Sequence, residues 1–125
     1  MVCVDTDILI DFLRNKEEAV SLMEGIANEG RMTTTVINGF ELWKGAYRKN
    51  KDWKEISKLF DSIHLLNMDK ESSKKAAEIF ESLKKKGEAV DALDVMIASI
   101  AMINNEPLLT LNKKHFERID GLRLV

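Results

Sequence analysis

The sequence predicts an α/β fold with a mostly parallel central sheet of about five short strands, flanked by helices. Short apolar or β-branched runs alternate along the chain with segments whose apolar residues recur at helical spacing. This alternation is typical of parallel βαβ units with right-handed crossovers. The 125 residues are 45% hydrophobic and include one proline and no linker-like stretch. We therefore expect a single domain over residues 1–125.

Five short segments are predicted as strands because they are apolar or β-branched. Pro107 opens the fourth of them, at the first position of a strand, where its missing N–H is tolerated. The fifth is expected at an edge of the sheet. The predicted strands are Val2–Val4, Met32–Thr35, Ile63–Leu66, Pro107–Leu111 and Leu122–Leu124.

The intervening segments are predicted as helices from the spacing of their apolar residues. Gly30 and Gly87 are expected to end two of them, and Asp52 with Glu55 resembles a capping box that opens another. The predicted helices contain Ile8–Leu13, Glu17–Asn28, Asn38–Arg48, the residues after Asp52, Ser73–Lys86, Asp91–Asn104 and Lys113–Phe116. The inward faces of the second and fifth are expected to carry Val20, Met23, Ile26 and Ala27, and Ala76, Ala77, Phe80 and Leu83.

Composition narrows the functional classes. No apolar run approaches the roughly 20 residues needed to span a bilayer, so no membrane association is expected. The opening residues resemble no secretory signal, and Cys3, the single cysteine, cannot form an internal disulfide. A cytoplasmic location is therefore expected. Because the net charge is −2, nucleic acid would have to bind through a local patch or through bridging metal ions.

Four polar residues, far apart in the chain, border apolar runs: Asp5, Glu41, Asp94 and Asn112. Asp5 and Asn112 follow predicted strands, whereas Glu41 and Asp94 lie in the early turns of predicted helices. In open parallel sheets, ligands bind outside the carboxyl ends of the strands. Three carboxylates brought together at that rim repel one another, and a hard cation such as Mg²⁺ or Mn²⁺ relieves the repulsion.

Each of these residues also has an ordinary structural interpretation. Asp5 can cap the helix that follows, although Thr6 and Asp7 can serve that role too. Glu41 can pair with Lys44 three residues later.

The other two members of the set have structural readings of the same kind. Asp94 can be the acidic partner of a cap formed by Asp91, and Asn112 can begin a turn. Thr110 is expected on the same side of its strand as Asn112, where its hydroxyl can hold a carboxylate or water.

Aromatic residues crowd the middle of the chain among Lys and Arg residues, and they leave two interpretations open. They can be helix packing with basic flanks, or a surface that contacts a partner or RNA. The residues are Trp43, Tyr47, Trp53 and Phe60. Neither His64 nor His115 is expected to act as a catalytic base, because neither has a clear Cys or Ser partner.

The order of four motifs resembles that of the PIN-domain ribonucleases, in particular the VapC-type toxins of toxin–antitoxin pairs. Asp5–Asp11 is similar to the opening D-T-N-hydrophobic stretch of the family, with Asp7 in place of the usual Asn. Thr33–Leu42, followed by Gly45-Ala46, is similar to the second motif, which centres on Glu41. Asp94–Ala98 and the segment Leu109–Asn112 with Phe116 are similar to the third and closing motifs.

The resemblance implies a PIN-like domain that cleaves RNA endonucleolytically with Mg²⁺ or Mn²⁺. It implies Asp5 and Asp94 as primary metal ligands, Glu41 as a ligand of a second ion or a group that orients water, and Asn112 acting through its carbonyl or through water. It further implies an RNA substrate, a VapB-like antitoxin and a homodimer.

Asn112 departs from the Asp often found at its position, and this leaves alternatives open. One alternative is a catalytically weak or inactive PIN-fold interaction module. Another is a receiver-like Mg²⁺-binding signalling domain, although no convincing Lys follows the last strand. A dinucleotide-binding enzyme is disfavoured because no G-x-G-x-x-G follows the first strand.

Overall fold

A computed structural model describes residues 1–49 and 53–125, and its centre is a four-stranded parallel sheet. The order across the sheet is β3-β2-β1-β4, and each neighbouring pair is parallel. The carboxyl ends of all four strands therefore lie along one rim. The strands are β1 (Val2–Val4), β2 (Met32–Thr35), β3 (His64–Leu66) and β4 (Leu108–Leu109).

Seven helices are found in the described residues, and they connect the strands and cover both faces of the sheet. They are α1 (Thr6–Leu13), α2 (Glu17–Glu29), α3 (Val36–Lys49), α4 (Lys54–Ser62), α5 (Lys70–Lys85), α6 (Ala92–Ile103) and α7 (Lys113–Phe116). None of these helices combines the length and the apolar character needed to cross a membrane.

The predicted α/β architecture is confirmed, with four strands in place of about five. The expected last strand forms a single parallel bridge, between Leu124 and Leu108, because only the end of the chain runs alongside β4 after the turn at Gly121. β4 itself ends at Leu109, whereas the sequence predicted a strand from Pro107 to Leu111.

Two helices begin earlier than predicted, directly after the residues that cap them. α5 begins at Lys70 and not at Ser73, since Asp69 and Ser72 form a reciprocal capping box. α3 begins at Val36 and not at Asn38, since the Thr35 hydroxyl accepts hydrogen bonds from the first-turn amides. The predicted cap at Asp52 lies outside the described residues.

The inward helix faces were predicted only in part. Met23, Ala76 and Leu83 are buried as expected. Ala27 and Ala77 are exposed, and Ala19 and Ile79 are buried in the same helices instead. Alanine presents too little apolar surface to set the orientation of a helix, so larger neighbours decide it.

Two apolar clusters fill the two sides of the sheet. Cys3 and Leu108 point to the side covered by α5 and α6, and Val4 and Leu109 point to the side covered by α1 to α4. Alternate residues of one strand face opposite sides, so these two-residue runs are buried on both faces. The strands are thereby held rigidly, and the residues that follow them are presented at the carboxyl rim.

Candidate active site at the carboxyl rim of the sheet

Asp5 lies at the centre of the rim, directly after β1, and is only 6% exposed. Its Oδ1 accepts hydrogen bonds from the Thr6 amide at 2.8 Å and from the Asn38 side chain at 3.0 Å. Its Oδ2 accepts a hydrogen bond from the Thr110 hydroxyl at 2.7 Å. Asp5 is therefore the N-cap of α1, as its ordinary interpretation predicted, and it is also the hub of a network that joins three segments.

Glu41 reaches the same network from the second turn of α3. The Thr6 hydroxyl donates to Glu41 Oε1 at 2.6 Å. The same hydroxyl accepts a hydrogen bond from the Asn38 amide at 2.8 Å. One threonine thus links the carboxylate of α3 to the segment that carries Asp5, and no ion pair with Lys44 forms.

Asp94 lies in the first turn of α6, after the N-cap Asp91. Its Oδ2 is 3.4 Å from Nδ1 of the partly exposed His115 on α7. This contact brings α7 against the rim. His115, which was not expected to act as a catalytic base, is therefore next to one of the predicted site carboxylates.

Asp7 provides a fourth carboxylate close to Asp5. Its Oδ2 lies 3.3 Å from the Thr110 hydroxyl and accepts a hydrogen bond from the Leu111 amide at 3.2 Å. Because Thr110 has a single hydroxyl proton and donates it to Asp5 at the shorter distance, the two carboxylates compete for one donor.

Asn112 contacts Thr110, a residue of the rim, through its backbone amide. Its amide donates to the Thr110 hydroxyl at 3.0 Å, and its side chain makes no capping bond to α7. The residue is exposed. The Thr110 hydroxyl thus holds a carboxylate, as expected. In the described residues the side-chain amide of Asn112 makes no contact with the carboxylates.

The electrostatics of Asp5 are unusual. Its pKa is raised from the ordinary 3.8 to about 6, mainly by burial and also by the nearby charges of Asp7 and Asp94. The hydrogen bonds from Thr110 and Thr6 act in the opposite direction, since they stabilise the ionised form.

Burial also raises the pKa values of Glu41 and Asp94. The charge of Asp94 raises the pKa of Glu41, and it raises that of Asp5 as well. Because the charge of Asp94 acts on both of the other carboxylates, the three predicted acids belong to one electrostatic cluster. His115 lowers the pKa of Asp94 in part through its hydrogen bond.

The donor chemistry of this cluster fits a hard divalent cation. Carboxylate oxygens are the ligands that Mg²⁺ and Mn²⁺ prefer, and neutral hydroxyl and amide donors orient them without cancelling their charge. Within residues 1–49 and 53–125, neither Asp5 nor Glu41 forms a salt bridge. In those residues no three Asp, Glu, His or Cys side chains converge into a ready-made metal-binding group, so water or side-chain rotation would have to complete the coordination.

The sequence reasoning missed Asn38, which is fully buried and bonded to Asp5. A usable signal was present: Thr35 followed three residues later by a polar residue is the spacing of a capping box. That signal would have marked Asn38 as a helix-start residue, whereas only the pairing of β2 with β1 brings it to Asp5.

An apolar groove of about 360 Å³ lies beside Glu41, between α1, α3 and α4. Ile10, Leu13 and Leu42 form part of its wall.

The aromatic residues divide into two pairs. The rings of Trp43 and Phe60 are 6.0 Å apart and pack against the core, and those of Tyr47 and Trp53 are 5.4 Å apart and are largely exposed. Helix packing therefore explains the first pair, and the second is a free surface in the described residues.

Comparison with known proteins identifies the family. The PIN domain model matches residues 2–122 of this chain. The chain belongs to the PIN domain family. A similar curated protein, ribonuclease VapC1 of Methanocaldococcus jannaschii, is 31% identical over 98% of this chain and 85% of its own length. The tRNA(fMet)-specific endonuclease VapC of Shigella flexneri is 28% identical over 96% of this chain and 92% of its own length.

Solved structures agree with the PIN fold. The VapBC2 complex of Rickettsia felis bound to a promoter DNA fragment contains a chain that matches with a TM-score of 0.88 and 25% identity, over 100% of this chain and 98% of that one. The DNA-bound VapBC of Salmonella typhimurium matches with a TM-score of 0.86 and 27% identity, over the same shares of both chains. Membership of the PIN domain family also sets aside the receiver-domain alternative.

Proposed function

We propose that this PIN domain is a metal-dependent endoribonuclease and the toxin of a toxin–antitoxin pair. Its similar curated relatives are named as ribonucleases, and its structural neighbours are toxins in complex with antitoxins. The observation that carries the proposal is the cluster of Asp5, Glu41 and Asp94 at the sheet rim. These carboxylates are partly buried and repel one another, and in the described residues none of them forms a salt bridge with Lys or Arg.

Such a cluster has a clear use against RNA. The phosphodiester backbone is an anion and is repelled by three carboxylates. The carboxylates would hold Mg²⁺ or Mn²⁺, which would supply the missing positive charge, polarise the phosphate and make water more acidic.

The residues of the cluster have different roles in the proposed mechanism. Asp5, held by three hydrogen bonds, and Asp94, at the opening of α6, serve as the primary ligands. Glu41, fixed by Thr6, binds a second ion or orients the attacking water. Asn112 contributes through its side-chain carbonyl or through water, and Thr110 orients Asp5.

The first prediction tests this function by RNA cleavage with Mg²⁺, with Mn²⁺ and with a chelator. Wild type should cleave a mixed RNA substrate only with metal. Asp94→Ala should lose about 100-fold or more of that activity, since even outer partners of a metal site cost about 10–100-fold. Gel analysis of end-labelled RNA measures both effects and distinguishes internal cleavage from trimming.

Asp61→Ala is the matched control, because Asp61 is an exposed carboxylate on α4. It should cleave as wild type does. Equal cleavage by wild type and Asp94→Ala, or full activity in chelator, would contradict the metal-nuclease function. A wild type that binds metal but cleaves no RNA would favour the inactive interaction module.

The proposed protein partners are an antitoxin and a second copy of this chain, as the resemblance to VapC-type toxins implies. The proposed antitoxin is a VapB-like protein that places an Arg or Lys among the carboxylates, where it imitates the cation. The exposed Tyr47 and Trp53 are the proposed contact surface. A homodimer is proposed as well, on a surface that the chain alone does not identify.

A further inference from the structure

The side-chain amide of Asn38 connects Thr35, at the start of α3, with Asp5 and Thr6. All four of its hydrogen-bonding positions are used. Its Oδ1 accepts from the Thr35 amide at 3.1 Å and from the Thr35 hydroxyl at 2.7 Å. Its Nδ2 donates to Asp5 Oδ1 at 3.0 Å and to the Thr6 hydroxyl at 2.8 Å. The side chain is fully buried, so no water replaces these partners freely.

The direction of these bonds matters. Because Thr35 supplies two donors, the carbonyl end of Asn38 must face Thr35 and the N–H₂ end must face Asp5 and Thr6. Because the Thr6 oxygen then accepts from Asn38, its own proton points to Glu41, which it meets at 2.6 Å. A chain of donors therefore runs from the start of α3 to two carboxylates.

We propose that Asn38 is a positioning residue that holds Asp5 directly, and Glu41 through Thr6, in a fixed arrangement for a divalent cation. This inference rests on the proposed function. A neutral amide suits the role, since it orients both carboxylates without supplying a positive charge that would compete with the cation.

A purely structural explanation must be separated from this one. Asn38 is also the third residue after the α3 cap Thr35, and Ser72 occupies the same place in α5 after Asp69. Both residues are buried and both complete a reciprocal cap. Ser72→Ala is therefore a matched control for the loss of a buried capping residue that is not part of the rim.

The experiment titrates Mn²⁺ into the metal-free full chain by calorimetry, with no RNA present. Asn38→Ala should weaken Mn²⁺ binding about 10–100-fold, the usual cost of removing a group that orients a metal ligand. Ser72→Ala should lower the melting temperature and keep the wild-type affinity. In RNA cleavage at a fixed Mn²⁺ concentration, Asn38→Ala should lower kcat and leave the KM for RNA near that of wild type.

Thr6→Val tests the same chain of bonds if Asn38→Ala does not fold. Valine keeps the shape of threonine and removes only the hydroxyl that links Asn38 to Glu41. It should also weaken Mn²⁺ binding, and the double variant should lose less than the product of the two single losses, because one chain of bonds is cut twice.

Three results would overturn the inference. They are wild-type affinity in both Asn38→Ala and Thr6→Val, an equal loss of affinity in Ser72→Ala, or a wild type that binds no Mn²⁺ at all. Only the last of these also removes the proposed metal-dependent function. A wild type that binds Mn²⁺ and cleaves RNA, with unaffected Asn38 and Thr6 variants, would leave that function standing and reject the role of Asn38.

Discussion

Asp5 is a buried carboxylate that folding makes harder to ionise, and this has a consequence for stability. Its pKa is about 6 in the fold against an ordinary 3.8, so the folded state binds more protons between these values. The free energy of unfolding of the metal-free protein should therefore fall as the pH rises from about 4 to 6 and stay low above. Asp5→Asn should raise it at pH 7 by about 1–3 kcal/mol and flatten this part of the pH profile.

Chemical denaturation of the metal-free protein at pH 4, 5, 6 and 7 measures this second prediction. Asp11→Asn is the control, because Asp11 lies on the same helix and loses the same charge, but pairs with Lys16 at 3.4 Å. That variant should change the free energy of unfolding by less than about 1 kcal/mol at any pH. An Asp5→Asn protein less stable than wild type at pH 7 would show that the lost hydrogen bonds outweigh the relieved charge.

Single residues also show how far sequence reasoning can reach. Asp5, Glu41 and Asp94 were predicted from their positions after apolar runs, and the structure places them in one electrostatic cluster. Their roles remain predictions. Asn38 was not predicted, because nothing local distinguishes an amide that caps its own helix from one that also reaches Asp5, 33 residues away in the chain.

At the scale of the element, the C-terminus of α5 depends on Gly87. Its φ is +74°, and the amides of Gly87 and Glu88 donate to the carbonyls of Lys84 and Leu83, which is the Schellman arrangement. As the third prediction, Gly87→Ala should lower the free energy of unfolding by about 1–2 kcal/mol, because a Cβ strains the left-handed conformation.

Gly25 gives the opposite result for the same substitution. It lies inside α2 in open space, so Gly25→Ala should raise the free energy of unfolding by about 0.5–1 kcal/mol. Urea denaturation of both variants tests the pair. If both substitutions changed the free energy of unfolding in the same direction, the left-handed conformation of Gly87 would not explain the effect of Gly87→Ala.

Element types were predicted well and element ends less well, for a physical reason. The apolar spacing of α6 and the β-branched run of β2 are local signals, and both elements were found where expected. The predicted fifth strand forms only one bridge, to Leu108. Whether a segment pairs with the sheet depends on tertiary contacts, which its local sequence does not reveal. Caps decide the ends, and α3 and α5 begin directly after Thr35 and Asp69, before the starts that apolar spacing alone predicted.

For the whole molecule, the strand order explains why distant residues meet. β1 is central, between β2 and β4, so Asp5 has neighbours from both sides: Asn38 beyond β2 and Thr110 after β4. Asp94 arrives from α6, on the opposite face of the sheet from α1. A cation bound at this rim would therefore connect segments that the sheet brings together only in the folded state.

This connection leads to the last prediction, on metal-linked stability. A ligand that binds only the folded state stabilises it by about 2.7 kcal/mol at 100 times its dissociation constant. Mn²⁺ should therefore raise the melting temperature of wild type at pH 7, whereas Asp94→Ala should show little shift because one of its ligands is lost. Asp11→Asn should shift as wild type does. If Mn²⁺ raised the melting temperatures of wild type and Asp94→Ala equally, the ion would bind elsewhere on the molecule, because removing a rim carboxylate would not have weakened its binding.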